Sequence, residues 1–164
     1  MSLAGHLKLG KLIVLYDDNH ITIDGETDVS FTEDVLKRFE AYGWHTSIVK
    51  DGDNDVASID KAVQEAKLVT DKPSLIKIKT TIGFGSKNQG EEKVHGAPLG
   101  NEDIAQVKAK FGFPADKTFF VPDEVYEFYK QVATNGAKLE QDWNSMFAQY
   151  KSAHSDLVSL VYLL

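Results

Sequence analysis

The amino-acid sequence predicts an α/β fold: a partial three-layer parallel sheet with helices on both faces, followed by a helical C-terminal segment. Two observations predict it. Apolar runs of strand length alternate three times with amphipathic stretches of helix length, the pattern of strand–helix–strand units. The first run, Leu12-Ile13-Val14-Leu15-Tyr16, does not alternate apolar with polar residues, as expected of a strand covered on both faces. At 164 residues the chain has the length of one domain. That is enough to bury about two thirds of its unfolded surface.

Ser2 to Leu9 places Leu3, Ala4 and Leu7 on one helical face, and Gly10 is a suitable C-terminal stop. Lys11 to Asp17 is the first strand. Ser30 to Gly43 is predicted as a helix. Ser30 and Glu33 have capping-box spacing, Val35, Leu36, Phe39 and Tyr42 form the apolar stripe, and Gly43 ends it. Trp44 to Lys50 is the second strand and Asp51-Gly52-Asp53-Asn54 a turn. Val56 to Leu68 is a second amphipathic helix, with Ile59, Ala62, Val63 and Ala66 on its apolar face. Pro73 precedes the third strand, Ser74 to Thr80. From Ile82 to Gly100 the sequence is glycine-rich and aperiodic, and a loop of that length inside a domain is usually functional or disordered. Helices follow at Asn101 to Phe111, from Pro122 with Val125, Phe128, Tyr129 and Val132 as its stripe, and from Leu139 to Tyr150.

There is no internal repeat, low-complexity tract or linker, so residues 1–164 are taken as one domain. The ends are unusual. The first helix begins almost at Met1 with no strand before it, and residues 157–164, LVSLVYLL, form an apolar terminal run that invites association unless it is packed. Both ends have the character of cuts through a larger protein.

Composition narrows the function classes. Eighteen Lys and Arg against 25 Asp and Glu give a net charge of -7, and no basic run is present. This argues against nucleic acid or an anionic membrane as partner, while leaving room for one phosphorylated ligand in a local pocket. With no cysteine, disulfides and thiolate chemistry are excluded. No apolar run reaches membrane-spanning length, and the N-terminus lacks the pattern of a signal peptide, so a cytoplasmic location is expected.

The chemistry concentrates at the end of the first strand. In a parallel sheet ligands bind beyond the carboxyl ends of the strands, where Asp17, Asp18, Asn19 and His20 fall. Two readings are open. Asp and Asn populate polar turns because they satisfy local backbone groups. Alternatively, the cluster is an oxygen-rich site for a hard cation such as Mg²⁺, with Asn19 offering an amide oxygen and His20 a bystander. The Gly-Phe-Gly-Ser segment fits neither the dinucleotide pattern nor a P-loop. His95, in Val-His-Gly-Ala-Pro-Leu, stands in a polar loop whose Gly96 and Pro98 suggest a fixed backbone.

The ordered blocks SLAGHLKLGKLIVLYDDNHITIDG, FEAYGW, KPSLIKIKTTIGFGS, VHGAPL, FGFP and VPDEVY together resemble transketolase, in its yeast and fungal form, from Ser2 to about Tyr150. The resemblance covers the second half of the N-terminal domain that binds the diphosphate of thiamine diphosphate. It implies that Asn19 binds the divalent metal, Mg²⁺ or Ca²⁺, through its side-chain oxygen and Ile21 through its backbone carbonyl. Asp17 is implied as an acidic residue of the same turn lying behind the ligands. Ile23 and Ile82 are implied to pack about the thiazolium ring. His95 is implied to contact the diphosphate and reach the donor sugar, the catalytic histidine of this segment.

The resemblance also implies what this sequence lacks. The family's motif opens with Gly-Asp-Gly, whose aspartate is a metal ligand, and the 164 residues contain no such block. The glutamate that activates the aminopyrimidine and the arginines that hold the substrate phosphate belong to other domains of the family. The expected function is therefore a piece of a transketolase, acting on sugar phosphates only within the intact enzyme and pairing with its missing parts or with itself. The alternative is a non-catalytic structural or regulatory remnant; the DNA flanking the reading frame separates the two. A Rossmann or flavodoxin-like nucleotide binder is disfavoured, because Asp17-Asp18-Asn19 stands where a glycine-rich turn is needed.

Overall fold

The structure, a computed structural model, describes residues 1–158. From residue 159 onward the predicted apolar terminal run lies outside the described residues. Contacts group the chain into two units, Met1–Ala115 and Asp116–Leu164.

In the first unit a short helix α1 (Ser2–His6) leads into strand β1 (Ile13–Asp18). A hairpin of β2 (Ile21–Thr22) and β3 (Gly25–Glu26) and a 3-10 turn (Thr27–Val29) follow. Then come α2 (Val35–Ala41), β4 (His45–Val49), α3 (Val56–Lys67) and β5 (Ser74–Lys79), and, after the glycine-rich loop, α4 (Lys93–Gly96) and α5 (Asn101–Lys110). The three main strands are parallel in the order β1-β5-β4, with Ile13 and His45 both in register with Ser74.

Alternation along β5 sends its side chains to two cores. Ile76 and Ile78 join Val49 with Ala62 and Ala66 of α3 on one face. Leu75 joins Val35 of α2 and Trp44 on the other, where Ala4 of α1, Phe39 and Tyr42 also pack. Helices therefore cover both faces, as the sequence predicts.

Several boundaries differ from those read in the sequence. The strand buried on both faces is β5, whereas β1 lies at the edge with Leu15 51% exposed. Helix α1 stops at His6, and Gly10 serves a different purpose from a helix stop. A Cβ there would sit 2.0 Å from the Thr70 carbonyl oxygen, so glycine is needed for close backbone approach. The Ser30–Glu33 capping box does not form. Asp34 caps α2 by accepting from the Lys37 N–H at 3.2 Å, and Glu33 pairs with Arg38 instead. That hydrogen bond from Arg38 holds the Glu33 carboxyl below its ordinary value.

In the second unit, α6 (Asp123–Ala153) is one continuous helix of 31 residues in place of the two predicted, with Pro122 as its N-cap. Gly136 passes through its middle without a break. A helical glycine costs only about 1 kcal/mol, far less than proline.

Candidate functional site

Three turns meet beyond the carboxyl ends of the three parallel strands. β1 ends in Asp17 and Asp18 and its turn starts at Asn19, the turn after β4 starts at Asp51, and the segment after β5 at Thr80. They are tied to one another. Thr80 donates its hydroxyl hydrogen to Asp17 Oδ1. The Thr80 N–H reaches the Asp18 carbonyl at 3.3 Å. The Gly52 N–H bonds the Lys79 carbonyl at 2.8 Å, and Asp53 Oδ1 accepts from the Thr81 N–H at 3.1 Å. Gly52 has no room for a Cβ, which would fall 2.4 Å from the Ile78 side chain.

Within the first turn, Asn19 Oδ1 accepts from the Ile21 N–H at 3.0 Å, an Asx turn. His20 takes φ 61°, a left-handed conformation that is uncommon outside glycine, though histidine is among the side chains that adopt it more readily. The chain is thereby redirected into the β2–β3 hairpin, closed at its base by the Thr27 N–H on the His20 carbonyl at 2.9 Å. Ile23 sits at the hairpin's turn, 71% exposed. Behind this turn Asp18 is buried and ion-paired with Lys77 of β5 at 2.8 Å, with His20 Nε2 at 3.5 Å. The pair lines a small cavity of about 130 Å³ with Tyr16, Thr27, Phe31 and Glu33. Burial, reinforced by the Asp18 carboxylate and opposed by Lys77, raises the Tyr16 phenol above its usual value.

The loop after β5 is built around Asp103, a buried carboxylate on the first turn of α5. Its Oδ2 accepts from Ser86 Oγ at 2.6 Å, and its Oδ1 accepts from the Lys87 N–H at 3.0 Å and from Gln106 Nε2 at 2.6 Å. Gln106 also donates to the Gly85 carbonyl at 2.8 Å, and Lys110 stands 4.5 Å from the centre of the Phe84 ring. A Cβ on Gly85 would meet the Phe111 ring at 2.7 Å and one on Gly83 would meet Val94 at the same distance. The glycines thus let the loop close on α5 and on the helix that carries His95.

Asp103→Ala is expected to free Ser86 and Lys87 from α5 while the sheet stays folded. Amide exchange at Lys87 should quicken about tenfold or more, measured by NMR, and unchanged exchange there would refute the clamp. The hydrogen bonds, that of Ser86 foremost, hold the Asp103 carboxyl below its ordinary value of 3.8. Its folded-state value is depressed, so its contribution is complete above that ordinary value and is lost as pH falls through the folded one.

Of the residues the sequence singles out, Asp17 lies in the last turn-facing part of β1, Asn19 directly follows the strand and shapes its turn, and Ile21 is half-buried in the hairpin. Ile82 is half-buried where the adjacent β5 loop departs, and its carbonyl accepts from the Gly90 N–H at 2.8 Å. His95 is exposed on α4, next to Val94, which stands over Gly83. The structure therefore ties the Asp17 and Thr80–Ile82 segments together directly, and connects His95 to them through Gly83. Asp103 and the Asp18–Lys77 pair escaped sequence reading. An acid in the first helical turn signals only dipole complementarity, and a lysine within an apolar strand signals nothing about its partner.

The resemblance implies a divalent cation. Asn19 Oδ1 and the Ile21 carbonyl are hard oxygen donors of the right kind, but both are neutral and they are too few for the near-octahedral set that Mg²⁺ demands. Among the described residues no three His, Cys, Asp or Glu side chains cluster to hold a metal ion. The present chain therefore does not fit the cation by itself. The hairpin leaves Ile23 uncovered beside the turn.

Comparison with known proteins supplies the family. Residues 1–162 match the family described as transketolase, thiamine diphosphate binding domain. Transketolase 1 of Saccharomyces cerevisiae is 54% identical over 157 residues, covering 95% of this chain and 23% of that protein. The transketolase of a Nostoc species is 53% identical over 154 residues, covering 93% and 23% respectively. A crystal structure of Pichia stipitis transketolase with sedoheptulose 7-phosphate superposes with a TM-score of 0.88 at 51% identity, covering 95% of this chain and 23% of that one. Transketolase from Campylobacter jejuni gives 0.84 at 37% identity, covering 96% and 24%. The chain thus spans about a quarter of the length of the relatives it matches. No helix among the described residues is long and apolar enough to cross a membrane. With an α/β sheet of matching architecture and a family match over nearly its whole length, the chain belongs to the transketolase thiamine-diphosphate-binding domain family.

Proposed function

We propose that this chain is a piece of a transketolase, the second half of its diphosphate-binding domain, serving the transfer of a two-carbon ketol unit between sugar phosphates. The observation that carries the proposal is the tying of the Asp17–Ile21 turn to the Thr80–Ile82 segment at the carboxyl edge of a parallel sheet. Bound cofactors belong at that edge in such sheets. In this reading Asn19 and Ile21 give two oxygens to Mg²⁺ or Ca²⁺, with Asp17 fixing the turn through Thr80. Ile23 and Ile82 keep water from the thiazolium ring of thiamine diphosphate, and His95 faces the diphosphate and the donor sugar. The cofactor itself supplies the carbanion chemistry, and the protein supplies position and charge. The same reading takes the intact enzyme to be cytoplasmic, the setting expected from the lack of a membrane-spanning run or signal-peptide pattern in these residues.

The chain alone is expected to be inactive. The aspartate of Gly-Asp-Gly is not in the sequence, and each missing charge-assisted contact costs about 1.5–3 kcal/mol of binding. Incubated with thiamine diphosphate, Mg²⁺, xylulose 5-phosphate and ribose 5-phosphate, it should form no product. Calorimetry should find thiamine diphosphate binding weaker than micromolar. Clear turnover, or a tight site, would show that these residues suffice without the rest of the enzyme.

A further inference from the structure

The last two residues of β1 are held on opposite faces of the sheet. Asp17, in register with Ile78, accepts from the Thr80 hydroxyl on one face. Alternation sends Asp18 to the other face, that of Tyr16 and Leu75, where the Lys77 ammonium stands 2.8 Å from its Oδ2. Asp18 is 5% exposed. Among the described residues no hydrogen bond of good geometry reaches that oxygen, so the nearby ammonium charge compensates it.

The fold alone does not call for this pair. Val14 and Leu75 already give this face an apolar core that could extend to positions 18 and 77. A buried ion pair is often replaced by apolar side chains of similar volume with no loss of stability, because desolvation offsets its attraction. What a charge pair adds to apolar packing is direction. Asp18 is the last residue of β1, and the turn begins at its carbonyl carbon. Asn19 then accepts from the Ile21 N–H, His20 takes its left-handed conformation, and the His20 carbonyl receives Thr27.

We propose that Lys77 is a positioning residue. Through Asp18 it sets the orientation of the Asn19–Ile21 turn from the central strand, while Asp17 and Thr80 hold the same strand end from the opposite face. The use made of that orientation rests on the proposed function; the orientation itself does not.

The test uses the whole 164-residue chain and NMR. Asp18→Leu combined with Lys77→Met removes both charges and leaves neither one unpaired. Its urea midpoint should equal or exceed that of the parent. Exchange of the Ser74 N–H, at the far end of β5, should be unchanged. Exchange of the Ile21 N–H should quicken about tenfold or more. The strong contact between the amide and α protons of His20, a mark of positive φ, should weaken. Lys77→Arg keeps a cation beside Asp18, with room in the adjoining cavity of about 130 Å³, and should retain both turn signals. A stable double variant with the Ile21 and His20 signals of the parent overturns the proposal, since Asp17 and Thr80 would then suffice. A double variant that fails to fold also overturns it, because the pair would then hold the sheet and not the turn. No readout involves thiamine diphosphate, so the positioning role and the functional reading fail separately.

Discussion

Ile76→Ala is expected to lower the unfolding free energy by about 2–5 kcal/mol. Ile76 is fully buried at the middle of β5, in register with Leu15 of β1 and Ser47 of β4. Its side chain belongs to the core formed with Val49, Ala62, Ala66 and Ile78. The two alanines of α3 approach the sheet closely and have no side-chain length with which to fill the space left behind. The loss therefore includes both transfer energy and an uncollapsed cavity. Domains of this size are stable by about 5–15 kcal/mol, so the variant should approach the unfolding threshold. Urea denaturation followed by circular dichroism measures it. A loss below about 1 kcal/mol would mean that α3 closes onto the sheet more freely than its packing implies.

Gly5→Ala tests a sign. Helix propensity alone says that alanine in place of glycine stabilises a helix by about 1 kcal/mol. The structure says the reverse for α1. A Cβ at Gly5 would lie 1.8 Å from the Tyr42 carbonyl oxygen and 3.3 Å from the Trp44 ring. The obstacle is backbone at the end of α2, which cannot rotate aside as a side chain does. Trp44 is also held from this side, its indole N–H donating to the Met1 carbonyl at 3.1 Å. The variant is expected to lose about 1–3 kcal/mol, as overpacked sites do, by lifting α1 off the sheet. In a Trp143→Phe background the remaining tryptophan fluorescence should shift to the red as Trp44 meets water. A stabilised variant with unchanged emission would show that α1 is not seated as described.

The succession of strands and helices was legible because it rests on periodicity, a local property of sequence. What escaped was set by position in the sheet. Leu12 to Tyr16 reads as a doubly covered strand, yet β1 is an edge; Ser74 to Lys79, with two lysines, is the centre. Lys77 escapes the cost of burial by pairing with Asp18, a match between strands that no single-strand pattern reveals. The capping box failed for a comparable reason, since Glu33 had a competing partner in Arg38 and Asp34 stood ready one residue later. At the site, the polar turn was legible as chemistry-bearing. The left-handed His20 was not, because a histidine signals positive φ far more weakly than a glycine does. The glycine loop was legible as special but not as ordered. Its order comes from Asp103, many residues downstream, through hydrogen bonds that leave no periodic trace.

The strand order β1-β5-β4 has a consequence for how the chain acquires its structure. The central strand is the last of the three to be synthesised, so β1 and β4 gain their shared neighbour only when Ser74–Lys79 has been made. No β1–β4 pair exists to serve as a local nucleus, and Ile13 finds its partner Ser74 only by closing a loop that contains the β2–β3 hairpin, α2, β4 and α3. Loop-closure entropy is therefore met before any pairing of these strands repays it, the condition under which parallel sheets form slowly. On the ribosome, the edges of β1 and β4 that face β5 stay unpaired until β5 arrives between them. The step that joins these three strands is also the one that brings Asp17 and Thr80 together, so this edge of the sheet and the contact across it are made in the same event.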